Sequence, residues 1–309
     1  MVRKHTRRAA KAAFAVSLGV ALLIGVLASG AAAARRSAKP AIILGSKNFP
    51  EETLLGQIYG QVLRAKGFKV TYKASIGSTE VINPAITSGK INFYPEYTGT
   101  IVADLANESL PRSAKATWQK ANAYEEKHGL KLLKYTPFED VDTFTVLRST
   151  ATKYHLKTIG DMKKLKSFSY AGYPECKTRI TCLLGLKNIY GLKQVKFVSI
   201  GNTIPVYTLL KEHKATAGDI FSTDPNLLGK TYTTLKDTKH IFGFQNVAPV
   251  VRQSLLKGSA GMLLESACNA VSKDLTLNAM LQMDKAVIVD KASPAYVAKR
   301  FLQANGLLK

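Results

Sequence analysis

The sequence predicts an α/β fold of two lobes joined by two crossings, and three observations lead there. Short apolar runs alternate with stretches of helical spacing from residue 41 onward. The alternation restarts at about residue 144, after a polar stretch. No segment is rich enough in Pro, Gly or Ser to separate independent domains, and no repeat period is visible. About 270 residues beyond the N-terminal segment are enough for one large or two medium domains.

Ala41-Ile42-Ile43-Leu44 reads as a strand that stops at Gly45-Ser46. Leu54, Leu55, Ile58, Val62 and Leu63 then share one face of a helix ending at Gly67, and Lys69-Val70-Thr71-Tyr72-Lys73 alternates as a strand does. Gly77-Ser78-Thr79 opens a second helix over 81–88, and Ile91-Asn92-Phe93-Tyr94 is a third strand. Each polar turn follows a strand, where open α/β sheets hold their ligands. After the restart, 144–147 is extended, 159–165 helical, 167–171 a strand and 183–190 helical. Residues 196–200, 217–222 and 240–242 read as further strands and 206–213 as a helix. Residues 247–251 read as a crossing back, and the C-terminal third is helical. The crossings are expected near 140–146 and 243–249, giving lobe one from 37–142 with 246–309 and lobe two from 143–245. Such a hinged pair closes over a ligand.

Residues 1–36 read as a cleaved export signal. Arg3, Lys4, Arg7, Arg8 and Lys11 make a cationic start, 14–28 is apolar but shorter than a bilayer span, and 31–34 offers small residues for cleavage. Ordinary secretion is the expected route, with a weak twin-arginine signal at Thr6-Arg7-Arg8, and the absence of Cys near the cleavage region argues against a lipid anchor. The expected location is the periplasm or the envelope exterior. Of 44 Lys and Arg, seven lie in that segment, leaving 37 against 21 acidic residues. The lysines are scattered rather than interleaved with aromatics in one patch. That disfavours nucleic acid as a partner and favours a solvated basic surface, suited to peripheral association with an anionic envelope.

Outside the cytosol, Cys176 and Cys182 are expected to form a disulfide that stiffens the segment carrying Arg179, while Cys268 reads as a buried helix residue. The five His do not cluster, so no metal site is expected. There is no Walker-type glycine loop, no His-Glu-x-x-His and no Gly-x-Ser-x-Gly, and no activated nucleophile accompanies His155 or His213. Catalysis is therefore not expected, nor any cofactor.

What remains is a binding constellation. Gly45-Ser46-Lys47-Asn48-Phe49 and Tyr94-Pro95-Glu96-Tyr97-Thr98-Gly99-Thr100 pair an aromatic-flanked turn with a cation at a strand end. An aromatic face suits an alkylated ammonium, and Lys, Arg and hydroxyl donors suit a carboxylate. With Gly77-Ser78-Thr79, Ser222-Thr223-Asp224 and Ala248-Pro249-Val250-Val251-Arg252, these blocks resemble, in order and over essentially the whole mature chain, the substrate-binding proteins of osmoprotectant ABC importers. The resemblance implies a two-lobed periplasmic binding protein of type II with its ligand cleft between the lobes. It implies a quaternary ammonium or betaine ligand (glycine betaine, choline, carnitine or similar) and permease subunits as partners. A different cationic or zwitterionic solute, such as an amino acid, is the alternative.

On the family's motif positions, Lys47 and Thr100 are implied polar contacts, Tyr97 a cage ring and Arg179 a carboxylate clamp from the second lobe. Ser78, Thr79 and Thr223 join them as expected contacts. The chain departs from the family pattern at three places. Val141-Asp142-Thr143-Phe144 keeps an aromatic face at Phe144 without a hydroxyl, Gln245 stands where a cage tyrosine is common, and Pro50-Glu51-Glu52 brings a carboxylate at Glu52 that can attract a cation directly. Plainer readings compete: Tyr97, Phe144 and Phe244 as packed aromatics, Lys47 as surface charge, Arg179 paired with Glu175, and Asp224 as the cap of a helix beginning near Pro225. The cap is the preferred reading of Asp224.

Overall fold

The computed structural model describes residues 39–200 and 206–308, and the N-terminal segment read as an export signal lies outside them. Strand β1 (Ile42–Gly45) leads through a four-residue turn into helix α1 (Pro50–Ala65), with Pro50 at the first helical position, where a missing N–H costs nothing. Leu54, Leu55, Ile58, Val62 and Leu63, the residues whose spacing predicts the helix, are all fully buried. Then follow β2 (Val70–Lys73), α2 (Thr79–Thr87) and β3 (Phe93–Tyr97). Two elements that the sequence reading leaves out come next, α3 (Ala114–Glu126) and the short β4 (Leu130–Leu132).

The second half contains β5 (Asp142–Leu147), α4 (Arg148–Tyr154), β6 (Phe168–Gly172), α5 (Leu183–Asn188) and β7 (Val195–Ser199). Helix α6 (Val206–Lys211), β8 (Ala217–Phe221) and β9 (Tyr232–Leu235) complete it. The chain returns as β10 (Val247–Arg252) and ends in α7 (Gly258–Asp274), α8 (Leu277–Asp284) and α9 (Pro294–Ala304). No helix among the described residues is long and apolar enough to cross a membrane.

Two five-stranded sheets result, in the orders β2-β1-β3-β10-β4 and β7-β6-β8-β5-β9. They share one plan. Three parallel strands come first, and the fourth position holds an antiparallel strand entered from the other lobe, β10 in one sheet and β5 in the other. Residues 247–251, expected as a crossing, are thus a buried strand. Its Pro249 lies opposite Pro95 of β3, a pairing without an N–H on either side that fits a non-hydrogen-bonded position of the ladder. The Pro249 carbonyl instead accepts from Leu133 N–H at 2.9 Å.

The two crossings run side by side. Glu139 bridges Asn246, Asp140 N–H donates to the Gln245 carbonyl at 3.1 Å, and Asn246 Nδ2 donates to the carbonyls of Thr136 and Phe138, both at 3.1 Å. Residues 240–242, expected as a strand, form a turn. The Asp237 carboxylate accepts the N–H groups of Lys239 and Phe242 at 3.2 Å each, so these amides are satisfied locally rather than by a neighbouring strand. Residues 159–165, expected as helical, wind as a 3-10 helix over Ile159–Lys164.

Candidate functional site

The turn after β1 carries Lys47 and Phe49 into the cleft. Lys47 is 4% exposed, so it is not surface charge. Its ammonium pairs with Glu96, lies 3.4 Å from Thr79 Oγ1, and sits 4.2 Å from the Tyr97 ring centroid and 5.6 Å from that of Phe49. Glu96 also accepts from Thr79 Oγ1 at 2.9 Å and from Tyr97 N–H at 2.8 Å. The cation expected to hold a ligand carboxylate is therefore already neutralised from within its own lobe.

Tyr97 donates its hydroxyl to Glu51 Oε1 at 2.7 Å, and the other Glu51 oxygen accepts from Thr223 Oγ1 at 2.6 Å. Thr223 follows β8, so this bond joins the lobes. Thr100 donates its N–H and its hydroxyl to Gln245 Oε1 at 3.0 and 3.3 Å, tying the turn after β3 to the second crossing. Gly99 makes that approach possible, because a Cβ there would lie 2.5 Å from the Phe244 carbonyl oxygen. Gln245, expected as a weakened cage position, is thus a polar tie between turn and crossing that also lines the cleft cavity.

Four aromatic rings stack across the cleft. Tyr97 and Phe49 have centroids 6.2 Å apart at 22°, Phe49 and Phe221 5.2 Å at 27°, and Phe221 and Tyr173 6.1 Å at 17°. Two rings come from each lobe. The rings border a cavity of about 40 Å³, and Lys47, Ser78, Thr79, Thr100, Arg179 and Gln245 line it as well. The sequence reading misses Tyr173 and Phe221 as site residues. Phe221 stands immediately before Ser222-Thr223-Asp224 and Tyr173 three residues before Cys176, and that nearness to segments already singled out is the signal that could have found them.

Cys176 and Cys182 are joined in a disulfide, as expected, around the 3-10 turn Pro174–Lys177, and Cys268 is buried in α7. Asp219 lies near the bridged sulfurs, but a disulfide offers no thiolate to a metal. Arg179 reaches over the cleft, where Nε and Nη2 donate to the two Glu80 oxygens at 3.0 and 3.1 Å, and Nε stands 3.4 Å from Asp104 Oδ2. Its partner is Glu80 of α2, in the other lobe, rather than Glu175. Burial opposes the charge on Glu80, but the guanidinium outweighs it and holds the carboxyl at about 2. Ser78 Oγ donates to Glu80 at 2.6 Å.

Two expected contacts lie elsewhere. Phe144 is fully buried in the second lobe's core, stacked on Tyr170 at 5.0 Å and edge-on to Phe168 at 6.1 Å, so it presents no ring to the cleft. Glu52 is fully buried beneath the turn, where Oε2 accepts Lys47 N–H at 3.1 Å, and burial pushes it up to about 8. It lines neither cleft cavity, so it braces the turn instead of meeting a cation. Asp224 caps the 3-10 turn Pro225–Leu228 by accepting Asn226 N–H at 2.8 Å. Thr223 lines a second cavity of about 170 Å³, which shares Phe49, Tyr173 and Phe221 with the first. Among the described residues lining the two cavities seven are acidic and two, Lys47 and Arg179, are basic.

The geometry is that of a ligand cleft: rings from both lobes, paired cations and an excess of carboxylates. Residues 40–304 match the family model for the substrate-binding domain of ABC-type glycine betaine transport systems. The chain is 27% identical over 280 residues to the glycine betaine-binding protein YehZ of Escherichia coli, covering 86% of this chain and 91% of that one. It is 27% identical over 300 residues to a glycine-betaine-binding protein of Pseudomonas aeruginosa, covering 92% of each. In fold it is similar to a crystal structure of a glycine betaine/carnitine/choline ABC transporter protein, with a TM-score of 0.68 and 21% identity, over 87% of this chain and all of that one. The two-lobed chain belongs to the family of substrate-binding domains of ABC-type glycine betaine transport systems.

Proposed function

We propose that the protein captures a quaternary ammonium solute between its lobes outside the cytoplasm and delivers it to an ABC permease. The observation that carries this reading is the set of four rings, Tyr97, Phe49, Phe221 and Tyr173, two from each lobe, that line one cavity between the lobes. The family's relatives named for glycine betaine support the ligand class. The lobes divide at 37–142 with 246–309 and at 143–245, a division supported by the membership of the two sheets. The reading is one of binding and hand-over without catalysis, and it includes export by the N-terminal segment.

Closure brings Tyr173, Phe221 and Arg179 of the second lobe over Lys47, Phe49, Tyr97 and Thr100 of the first. Both cations are engaged by protein carboxylates, so a ligand carboxylate must compete with Glu96 and Glu80 to reach them, whereas the ammonium end enters a cavity lined by rings of both lobes. Among quaternary ammonium compounds, those without a carboxylate should bind at least as well as the betaines. Calorimetric titration with tetramethylammonium, choline, carnitine, glycine betaine and proline tests this. Binding of the quaternary compounds with Kd in the micromolar range, and none of proline, is expected. Tyr97→Ala should weaken choline by about 0.5–2 kcal/mol, up to about 30-fold, and Tyr97→Phe by less, since the π-face remains. Binding of proline alone, or equal losses in the two variants, would overturn the reading.

A further inference from the structure

We propose that the second cavity is a subsite for a cation that carries N–H donors, a primary ammonium or a guanidinium; this rests on the reading of the cleft as a ligand site. The cavity lies beyond the ring stack and holds about 170 Å³. Four carboxylates line it, Glu51, Asp219, Asp224 and Asp284, and among its described residues there is no Lys, Arg or His. Their hydrogen bonding separates them. Glu51 accepts from Tyr97 and Thr223, and Asp224 accepts from Asn226. Asp284 is 1% exposed and shares a proton with Glu51 through one carboxyl oxygen, which leaves its other oxygen without a donor, and Asp219, 7% exposed beside Tyr170 and Asp142, keeps Oδ1 unpartnered.

A buried acceptor left unmade is costly, and groups of this kind in a roomy cavity call for a donor. A quaternary ammonium has no N–H and cannot supply one, whereas a primary ammonium has three and a guanidinium five. Asp284 comes from the first lobe and Asp219 from the second, so a donor bonded to both holds the lobes together. The rings shared by the cavities allow an alkyl chain to run along them between the two sites. Burial and the nearby Glu51 charge hold the Asp284 carboxyl well above its ordinary value. An entering cation should therefore displace a proton.

The test is calorimetric titration of the purified protein with 1,4-diaminobutane and agmatine, alongside tetramethylammonium, in two buffers of different ionisation enthalpy. The diamine should bind with proton release. Asp284→Asn should weaken it at least tenfold and abolish the proton release, while tetramethylammonium affinity stays within twofold. Asp219→Asn gives a second variant from the other lobe, with the same loss expected should Asp284→Asn not fold. The subsite is overturned if the diamine fails to bind a protein that binds tetramethylammonium, or if neither probe binds. It is also overturned if the variants leave diamine affinity within twofold or weaken both probes equally. Binding of the diamine with loss in the variants, but without tetramethylammonium binding, keeps the subsite and removes the quaternary ammonium reading instead.

Discussion

A guanidinium at the edge of a cleft can hold a ligand or hold the cleft shut, and Arg179 is placed for the second task. Both of its hydrogen-bonded nitrogens point to Glu80, with Asp104 behind. Burial pushes Asp104 up to about 7 against the pull of Arg179, so this carboxyl depends on its neighbour for its charge. Glu80 has 42% of its side chain exposed, and solvent screens the pair accordingly. The latch is therefore worth roughly 1 kcal/mol, about fivefold in affinity. Arg179→Ala should lower the affinity for choline and for glycine betaine by similar factors of that size, because closing the lobes serves either ligand. A loss confined to glycine betaine in parallel titrations would assign Arg179 to the carboxylate alone.

Helix α1 shows how much an element's start can organise. Glu51 ties Tyr97 to Thr223, and Glu52 fixes the backbone of the preceding turn through Lys47 N–H. Glu52 is buried, and its folded-state value of about 8 lies above the ordinary 4.5. Between these values the folded protein binds more protons than the unfolded chain, so stability is complete at low pH and falls as pH rises from about 4.5 to 8. Glu52→Gln keeps the acceptor and removes the titration. The variant should nearly match the wild type at or below pH 4.5 and exceed it near pH 9, on the order of 5 kcal/mol in denaturant unfolding. A wild-type stability that rises across that range to the same degree as the variant's would show that Glu52 is not the group responsible.

The helical face of α1 was legible because five apolar residues repeat at helical spacing, and the strands of the parallel cores were legible as apolar runs. What stayed hidden has physical reasons. Strand β4 is three residues long and β9 is Tyr-Thr-Thr-Leu, too short or too polar to signal a sheet. Phe144 and Phe221 look alike in sequence, and only the sheet decides that one faces the core while the other meets Phe49. Lys47, Tyr97, Thr100 and Arg179 could be singled out from their motif blocks. Their mutual neutralisation by Glu96, Glu51 and Glu80 could not, since these pairs join residues 46 or more positions apart.

At the scale of the molecule, acidic and basic residues are segregated. Beyond the N-terminal segment 37 basic residues stand against 21 acidic ones, yet among the described residues lining the cavities between the lobes seven are acidic and two basic. Burial holds most of these carboxyls above their ordinary values, so the cleft is rich in acceptors rather than in negative charge, and the lobes are joined by bonds that need no ligand. Thr223 to Glu51 is the most buried of these, and it joins the lobes beside the ring stack without being part of it. Leaving the buried Glu51 oxygen without this donor costs about 1–2 kcal/mol. Thr223→Ala should therefore shift the ligand-free protein toward the open form, since the crossings that act as hinge are unchanged. Apparent affinity falls with the fraction of closed-competent protein, about 5- to 30-fold for every ligand that needs closure. Small-angle scattering should show a larger radius of gyration for ligand-free Thr223→Ala than for the wild type, and saturating choline should bring both to the same value. An unchanged radius with unchanged affinity would mean that the lobes are held closed by the rings and the Arg179 latch alone.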